Sequence, residues 1–312
     1  MAEMIQLGRT DLNVSRICFG CWQMSANRFW PTVDEQKMQA AVREALELGV
    51  NFFDTADAYG DGHAEMLLGR MLEGVPRDRY ILADKVYHHW LGEPGSKRVG
   101  DLSCDYILWE CEQSLKRLNT DVIDLYQAHF YDVLTHPEET ARAFEKLKKD
   151  GKIRYYGASN YNAEHMRAAN RFGHFDTLQP RYNLLDRAFE EELAYYCMAE
   201  NIGVLCYSTL ECGLLTGKFT GDEKFDDVRG IMASFQGEQF QKNVQRVQRL
   251  GEIAESLGKS TTQLAIRGAL EHPAVHCTIV GIKTPEQIRE AAGAMGWALT
   301  REQYYDVRAA MA

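Results

Sequence analysis

Four ionisable residues stand at or just after three successive apolar runs: Asp54 and Tyr59 beyond Phe52-Phe53, Lys85 beyond Ile81-Leu82-Ala83, and His129 beyond Leu125-Tyr126. A phenol, an ammonium, a carboxylate and an imidazole suit the reduction of a carbonyl, whose oxygen becomes an alkoxide and must be protonated as hydride reaches the carbon. Tyrosine titrates at about pH 10 and is a weak acid by itself. A neighbouring ammonium favours the phenolate, so Lys85 is expected to lower the Tyr59 value while Asp54 keeps the lysine charged. His129 would donate a hydrogen bond to the substrate oxygen, the task of an oxyanion hole, and need not be charged to do so.

Taken singly, each residue has a plainer reading: a loop cap for Asp54, a turn for Tyr59, a structural ion pair for Lys85, a satisfied backbone carbonyl for His129. Their joint appearance at three consecutive strand ends argues for a shared site. Delivering them to one point requires a scaffold, and the chain supplies a regular one. Short apolar or β-branched runs at 17–19, 50–53, 80–83, 122–127, 153–156, 177–179, 203–206 and 277–280 alternate with amphipathic stretches at 34–48, 103–118, 137–149, 163–172 and 189–200. Strands apolar on both faces belong in a parallel sheet covered by helices. Eight such units point to a single α/β domain over residues 1–312, a closed (β/α)8 TIM barrel with its site at the C-terminal ends of the strands. An open doubly wound sheet ranks second, because no Gly-x-Gly-x-x-Gly follows the first strand; Phe19-Gly20-Cys21-Trp22 stands there. Residues around Gly8-Arg9-Thr10-Asp11 suggest an N-terminal hairpin, and 300–311 a C-terminal helix opened by a capping residue. The long connection from Tyr207 to Gln236 is too rich in Gly, Asp and Ser for a regular element and is expected to cover a ligand.

Composition narrows the partners. The chain has 312 residues, 45% hydrophobic and 26% charged, with a net charge of −10, which opposes nucleic acids and anionic membranes and favours a small molecule. Neither a secretory leader nor a run of about eighteen apolar residues is visible, so a cytoplasmic protein is expected. The eight cysteines, including the Cys18/Cys21 pair, read as reduced thiols. His88-His89 lacks further ligands at suitable spacing, and no metal is expected.

The segments FFDTADAYG (52–60), LADKV (82–86), DLYQAH (124–129), GASNY (157–161), LQPRYN (178–183) and YSTLECGLLTGK (207–218) resemble, in order, the motifs of the aldo-keto reductase superfamily. The resemblance implies the barrel, Asp54, Tyr59, Lys85 and His129 as a catalytic tetrad, and NAD(P)H lying extended across the barrel mouth. It implies Ser159, Asn160 and Gln179 on the nicotinamide carboxamide, Tyr207 against the ring, and Gly20, Trp22 and Asp54 among the cofactor contacts. Ser208, Leu210, Gly213, Leu214 and Lys218 resemble the pyrophosphate clamp, and the segment from Gly281 through Lys283 and Gln287 to Glu290 the adenosine site. Here the chain departs from the best-known reductases, which have Lys-Ser-Thr and a later Arg where this chain has Gly281-Ile282-Lys283 and Gln287. It is closer to the bacterial branch related to potassium-channel β subunits. Arg229 and Lys283 would then supply positive charge, favouring NADP(H) over NAD(H).

The mouth loops offer Trp22, Arg28, Phe29, Trp30, His88 and Phe130, which suit a hydroxylated or aromatic carbonyl. Two rival readings remain: a Schiff-base aldolase using Lys85, and a cofactor-binding redox-sensing subunit with little turnover. Asp54 beside Lys85 weighs against the first. Channel β subunits carry Asn where this chain has His129, which weighs against the second.

Overall fold

A computed structural model describes residues 2–26, 30, 32–92 and 96–312; Arg28 and Phe29 lie outside the described residues. The chain opens with an antiparallel hairpin, β1 (Met4–Gln6) and β2 (Asn13–Ser15), in which Met4 pairs with Ser15. Next come β3 (Ile17–Gly20), β4 (Phe52–Asp54) and β5 (Ile81–Val86). A second hairpin follows, β6 (His88–Trp90) and β7 (Arg98–Gly100), and after it β8 (Ile123–Ala128), β9 (Ile153–Ser159), β10 (Thr177–Gln179), β11 (Gly203–Cys206) and β12 (Cys277–Gly281). Excluding the two hairpins, the strands form a closed parallel barrel in the order β10-β11-β12-β3-β4-β5-β8-β9.

Around it run α1 (Glu35–Glu47), α2 (His63–Met71), α3 (Cys104–Leu118), α4 (Pro137–Lys149), α5 (Ala163–Ala169), α6 (Glu192–Ala199), α7 (Gly237–Ser256), α8 (Thr261–Leu270), α9 (Pro285–Ala292) and α10 (Arg301–Ala310). Their starts are chemically marked. The Asp34 and Ser103 side chains accept from the Lys37 and Tyr106 amides, and reciprocal capping boxes open α8 (Ser260 with Gln263) and α10 (Thr300 with Gln303).

Alternation along each strand divides the core. Cys18, Phe52, Ala83 and Leu125 point into the barrel and meet Leu7, Leu12 and Val14 from the first hairpin, which plugs the barrel floor. Ile17, Phe19, Phe53 and Leu82 point outward against the helices. Each such fully buried side chain contributes about 1.5–3 kcal/mol.

The strand expectations differ from the structure chiefly at the C-terminal ends. β5 continues to Val86 and β9 to Ser159, beyond the expected 83 and 156. The runs stop being apolar there because Lys85 and Ser159 find buried polar partners, and the backbone ladder carries on. The helix expected at 189–200 is a 3₁₀ turn, Ala188–Glu190, followed by α6, with the break at Glu191. The hairpin β6–β7 was not anticipated. The connection at 207–236 contains only 3₁₀ turns, at Glu211–Thr216, Val228–Ile231 and Ala233–Phe235. The eight cysteines are all free, and Cys18 and Cys21 lie buried within and just after β3, where burial pushes their thiols well up.

Candidate active site

Neighbouring β4 and β5 bring an acid and a base together inside the barrel mouth. Asp54 closes β4, and from β5 the Lys85 Nζ donates to Asp54 Oδ1 at 2.7 Å, to the Thr55 carbonyl at 2.7 Å and to the Tyr59 hydroxyl at 3.3 Å. Asp54 Oδ2 accepts from Gln179 Nε2 at 2.8 Å, so both carboxylate oxygens are held. Tyr59 is turned inward by the loop after β4. Its neighbour Gly60 sits at φ +64°, where a Cβ would lie 1.9 Å from the Ser25 carbonyl, so only glycine fits. His129, one residue past β8, meets the Tyr59 ring edge to face with centroids 6.0 Å apart.

Burial governs the electrostatics. It draws Lys85 down, but the Asp54 and Tyr59 charges outweigh it and hold the ammonium above its usual range. Burial lifts Asp54 above its usual range, against the opposing pull of the Lys85 charge and of the hydrogen bonds from Lys85 and Gln179. For Tyr59 burial also prevails, pushing the phenol up to about 12 despite the opposing pull of Lys85. This corrects the expectation that Lys85 lowers it: the ammonium is largely neutralised by Asp54 and cannot replace the lost hydration of a phenolate. Burial, then the Lys85 charge, then His88, hold His129 well below its usual range, so its imidazole is neutral; the Nδ1 is buried with no hydrogen-bond partner among the described residues.

Above these groups opens a cavity of about 1070 Å³. Asp54, Tyr59 and His129 form part of its wall, together with Gly20, Trp22, Ser159, Asn160, Gln179 and Tyr207, while Lys85 lies just behind. Tyr207 donates to Asn160 Oδ1 at 2.7 Å, Asn160 Nδ2 to the His129 carbonyl at 3.0 Å, and Ser159 Oγ to the Gln179 carbonyl at 3.0 Å. Farther along, Ser208, Leu210, Gly213, Lys218 and Arg229 line the wall, as do Gly281, Lys283, Gln287 and Glu290. Leu214 does not: its side chain is buried beside Phe235, Phe240 and Val244, because the 3₁₀ turn aims it at the core.

The donor set at this end fits phosphates. Gly213 at φ +91° leaves the turn without a side chain, 3.0 Å from Lys218 Nζ measured from where a Cβ would sit. Burial, and then the nearby Arg229 charge, draw both Lys218 and Lys283 below their usual range. Asp227 answers Arg229 through two acceptor oxygens, and the Lys283 ammonium lies 4.0 Å over the Trp30 ring. Gln287 Oε1 accepts from the Lys283 amide, and Glu290 from Ser260 Oγ. Sequence reasoning passed over Arg181 and Arg98, both on the cavity wall. Arg181 stood inside a quoted motif; Arg98 carried no signal, lying in the unanticipated hairpin.

Residues 16–312 match the profile of the aldo/keto reductase family. The chain belongs to that family. It is 36% identical to the aldo-keto reductase YhdN of Bacillus subtilis over 98% of this chain and 92% of that one. It is 34% identical to the NADH-specific methylglyoxal reductase of Escherichia coli, over 94% and 93% of the two chains. The solved structure of the glycerol dehydrogenase from Gluconobacter oxydans superposes with a TM-score of 0.91 at 34% identity, covering 98% of this chain and 94% of that one. This aldo-keto reductase is therefore an NAD(P)H-dependent oxidoreductase with the family's (β/α)8 barrel. Among its described residues no helix is long and apolar enough to cross a membrane, and no His, Cys, Asp and Glu cluster is arranged to hold a metal.

Proposed function

We propose that the protein is a cytoplasmic NADPH-dependent reductase of small-molecule aldehydes, ketones or sugar carbonyls, with Tyr59 as general acid. The observation that carries the reading is Lys85 Nζ, which touches both Asp54 and Tyr59 beneath the cavity floor. NADPH bound across the mouth supplies the hydride. Ser159, Asn160 and Gln179 offer the donors and acceptors a carboxamide needs, and Tyr207 the flat face that shields it from water. Ser208 and Leu210 offer backbone amides, Gly213 a side-chain-free approach, and Lys218, Arg229 and Lys283 positive charge, for the phosphates; this cluster supports NADPH over NADH.

Tyr59 and the neutral His129 hold the substrate oxygen between two donors. As charge develops on that oxygen, Tyr59 gives up its proton, and the resulting phenolate is stabilised by the adjacent Lys85 ammonium. The raised Tyr59 value keeps the proton available at neutral pH until the substrate oxygen calls for it.

The test is oxidation of NADPH and of NADH with 4-nitrobenzaldehyde, glyceraldehyde and several sugar aldehydes, for wild type and Tyr59→Phe. Turnover that Tyr59→Phe abolishes supports the proposal. Tight NADPH binding without turnover of any carbonyl would replace it with the redox-sensing subunit.

A further inference from the structure

The hairpin β6–β7 is an addition to the barrel, inserted between β5 and α3, and it stands on the far side of the ring of strands from β11. It presents one guanidinium, that of Arg98, to the cavity, away from the Lys218, Arg229 and Lys283 cluster. The side chain is held in place. Arg98 pairs directly across the hairpin with Trp90, and its guanidinium lies 4.4 Å over the Trp90 ring. Its carboxylate neighbour is distant: Asp61 approaches only to 4.0 Å, and both side chains keep more than a third of their surface in solvent. Such a loose, exposed pair contributes little, and an incoming anion can share the guanidinium.

A row of rings leads from the tetrad toward this charge. The His129 ring is 6.0 Å from Tyr59, and His88, which opens the hairpin, is 5.4 Å from His129. Burial, then the Arg98 charge, draw His88 down to about 4, so this histidine is neutral and adds no second cation along the row. The wall beside them is aromatic: the Phe130 ring, with its centroid 5.9 Å from that of His88, lines the same cavity. Building on the carbonyl-reductase reading, we propose that Arg98 is a specificity-determining residue for a carbonyl substrate bearing an anionic group, a carboxylate or phosphate, a few atoms from the reacting carbon. The carbonyl oxygen sits at Tyr59 and His129, the carbon chain passes His88, and the anion meets the planar donor fork of Arg98. A protein of net charge −10 otherwise repels such substrates, and a local cation at the mouth offsets that repulsion.

The test uses matched aldehydes: succinic semialdehyde against butanal, and glyceraldehyde 3-phosphate against glyceraldehyde, in wild type, Arg98→Met and Arg98→Lys. The reading is the anionic-to-neutral ratio of kcat/KM, in which any general loss of activity cancels. We expect a ratio of about 10 or more in wild type for at least one pair, falling about tenfold in Arg98→Met, mainly through KM, and less in Arg98→Lys. The wild-type preference should also weaken as salt is raised. Turnover of the neutral aldehydes with no preference in either pair, or a preference that Arg98→Met leaves intact, overturns this inference and spares the reductase reading. Failure of all four overturns this inference, and it overturns the reductase reading as well when 4-nitrobenzaldehyde and the sugar aldehydes also fail.

Discussion

Arg181 donates to both carboxylate oxygens of Glu211, at 2.6 and 2.5 Å, and so ties the end of β10 to the loop that follows β11. The tie holds backbone that is costly to form. Ser208, Glu211 and Cys212 all adopt positive φ, at 59°, 46° and 49°, a region where a residue with a side chain costs about 1–3 kcal/mol. Glu211 also accepts from Asn183 Nδ2 at 3.0 Å and Ser234 Oγ at 2.7 Å, and Asn183 donates to the Ser208 carbonyl at 3.0 Å. The loop proposed to hold the cofactor phosphates is thus shaped before any ligand arrives.

Glu211→Ala releases this loop and leaves Arg181 half-buried without its main partner. The expected result is a lower Tm and a KM for NADPH raised about tenfold or more, with kcat changed far less. Steady-state kinetics with thermal melts check it; a lower kcat at constant KM would mean that the network serves the chemistry and not the binding.

Removing the proton donor has a separate signature. Tyr59→Phe should lower kcat by about 10²–10⁴-fold while NADPH still binds, as read by quenching of protein fluorescence. Lys85→Met should match it in rate and also lose stability, because it strands Asp54 as a buried carboxylate.

The two ends of the site titrate outside the ordinary range, and the pH profile follows. With His129 held well below its usual value and Tyr59 pushed up to about 12, both stay in the form that reduction requires. The reduction kcat should therefore be flat from about pH 6 to about pH 9, and alcohol oxidation, which needs the phenolate, should quicken with rising pH. A bell with both limbs inside that range would contradict the assignment.

Stability should respond in the opposite direction to the usual carboxylate. Burial, followed by the Glu110 and Glu65 charges, pushes Asp57 up to about 8, against the amides of Tyr87 and His88 that its Oδ2 accepts. Its carboxyl keeps a proton in the folded protein that the unfolded chain releases. That contribution is present at acid pH, is lost progressively from the ordinary value of 3.8 up to about 8, and is absent above. Tm should fall with rising pH across this window, and Asp57→Asn should flatten the fall.

Lys283→Ala should raise KM for NADPH about tenfold or more and leave KM for NADH nearly unchanged. An equal rise for both would assign Lys283 to the shared pyrophosphate instead.

Much of the scaffold was legible along the chain. The eight apolar runs mark all eight barrel strands, because a strand buried on both faces needs a continuous apolar run whatever its partners. The order of the runs, with right-handed crossovers between them, leaves little choice of neighbours. Asp54, Tyr59, Lys85 and His129 could be picked out because polar residues ending such runs must face the barrel mouth. The hairpin β6–β7 was not legible, since His88 and His89 read as loop, Arg98 drew no reading, and the pairing depends on residues across it.

By itself, then, the sequence determined the family, the barrel and the residues gathered at its mouth, since local patterning and motif order carry that information. Only the tertiary structure decided the energetics: that burial outweighs Lys85 at Tyr59, that Leu214 turns to the core, and that Arg181 clamps Glu211. Desolvation and long-range pairing depend on what surrounds a group in space, and residues more than twenty positions apart in the chain come together only when the barrel closes.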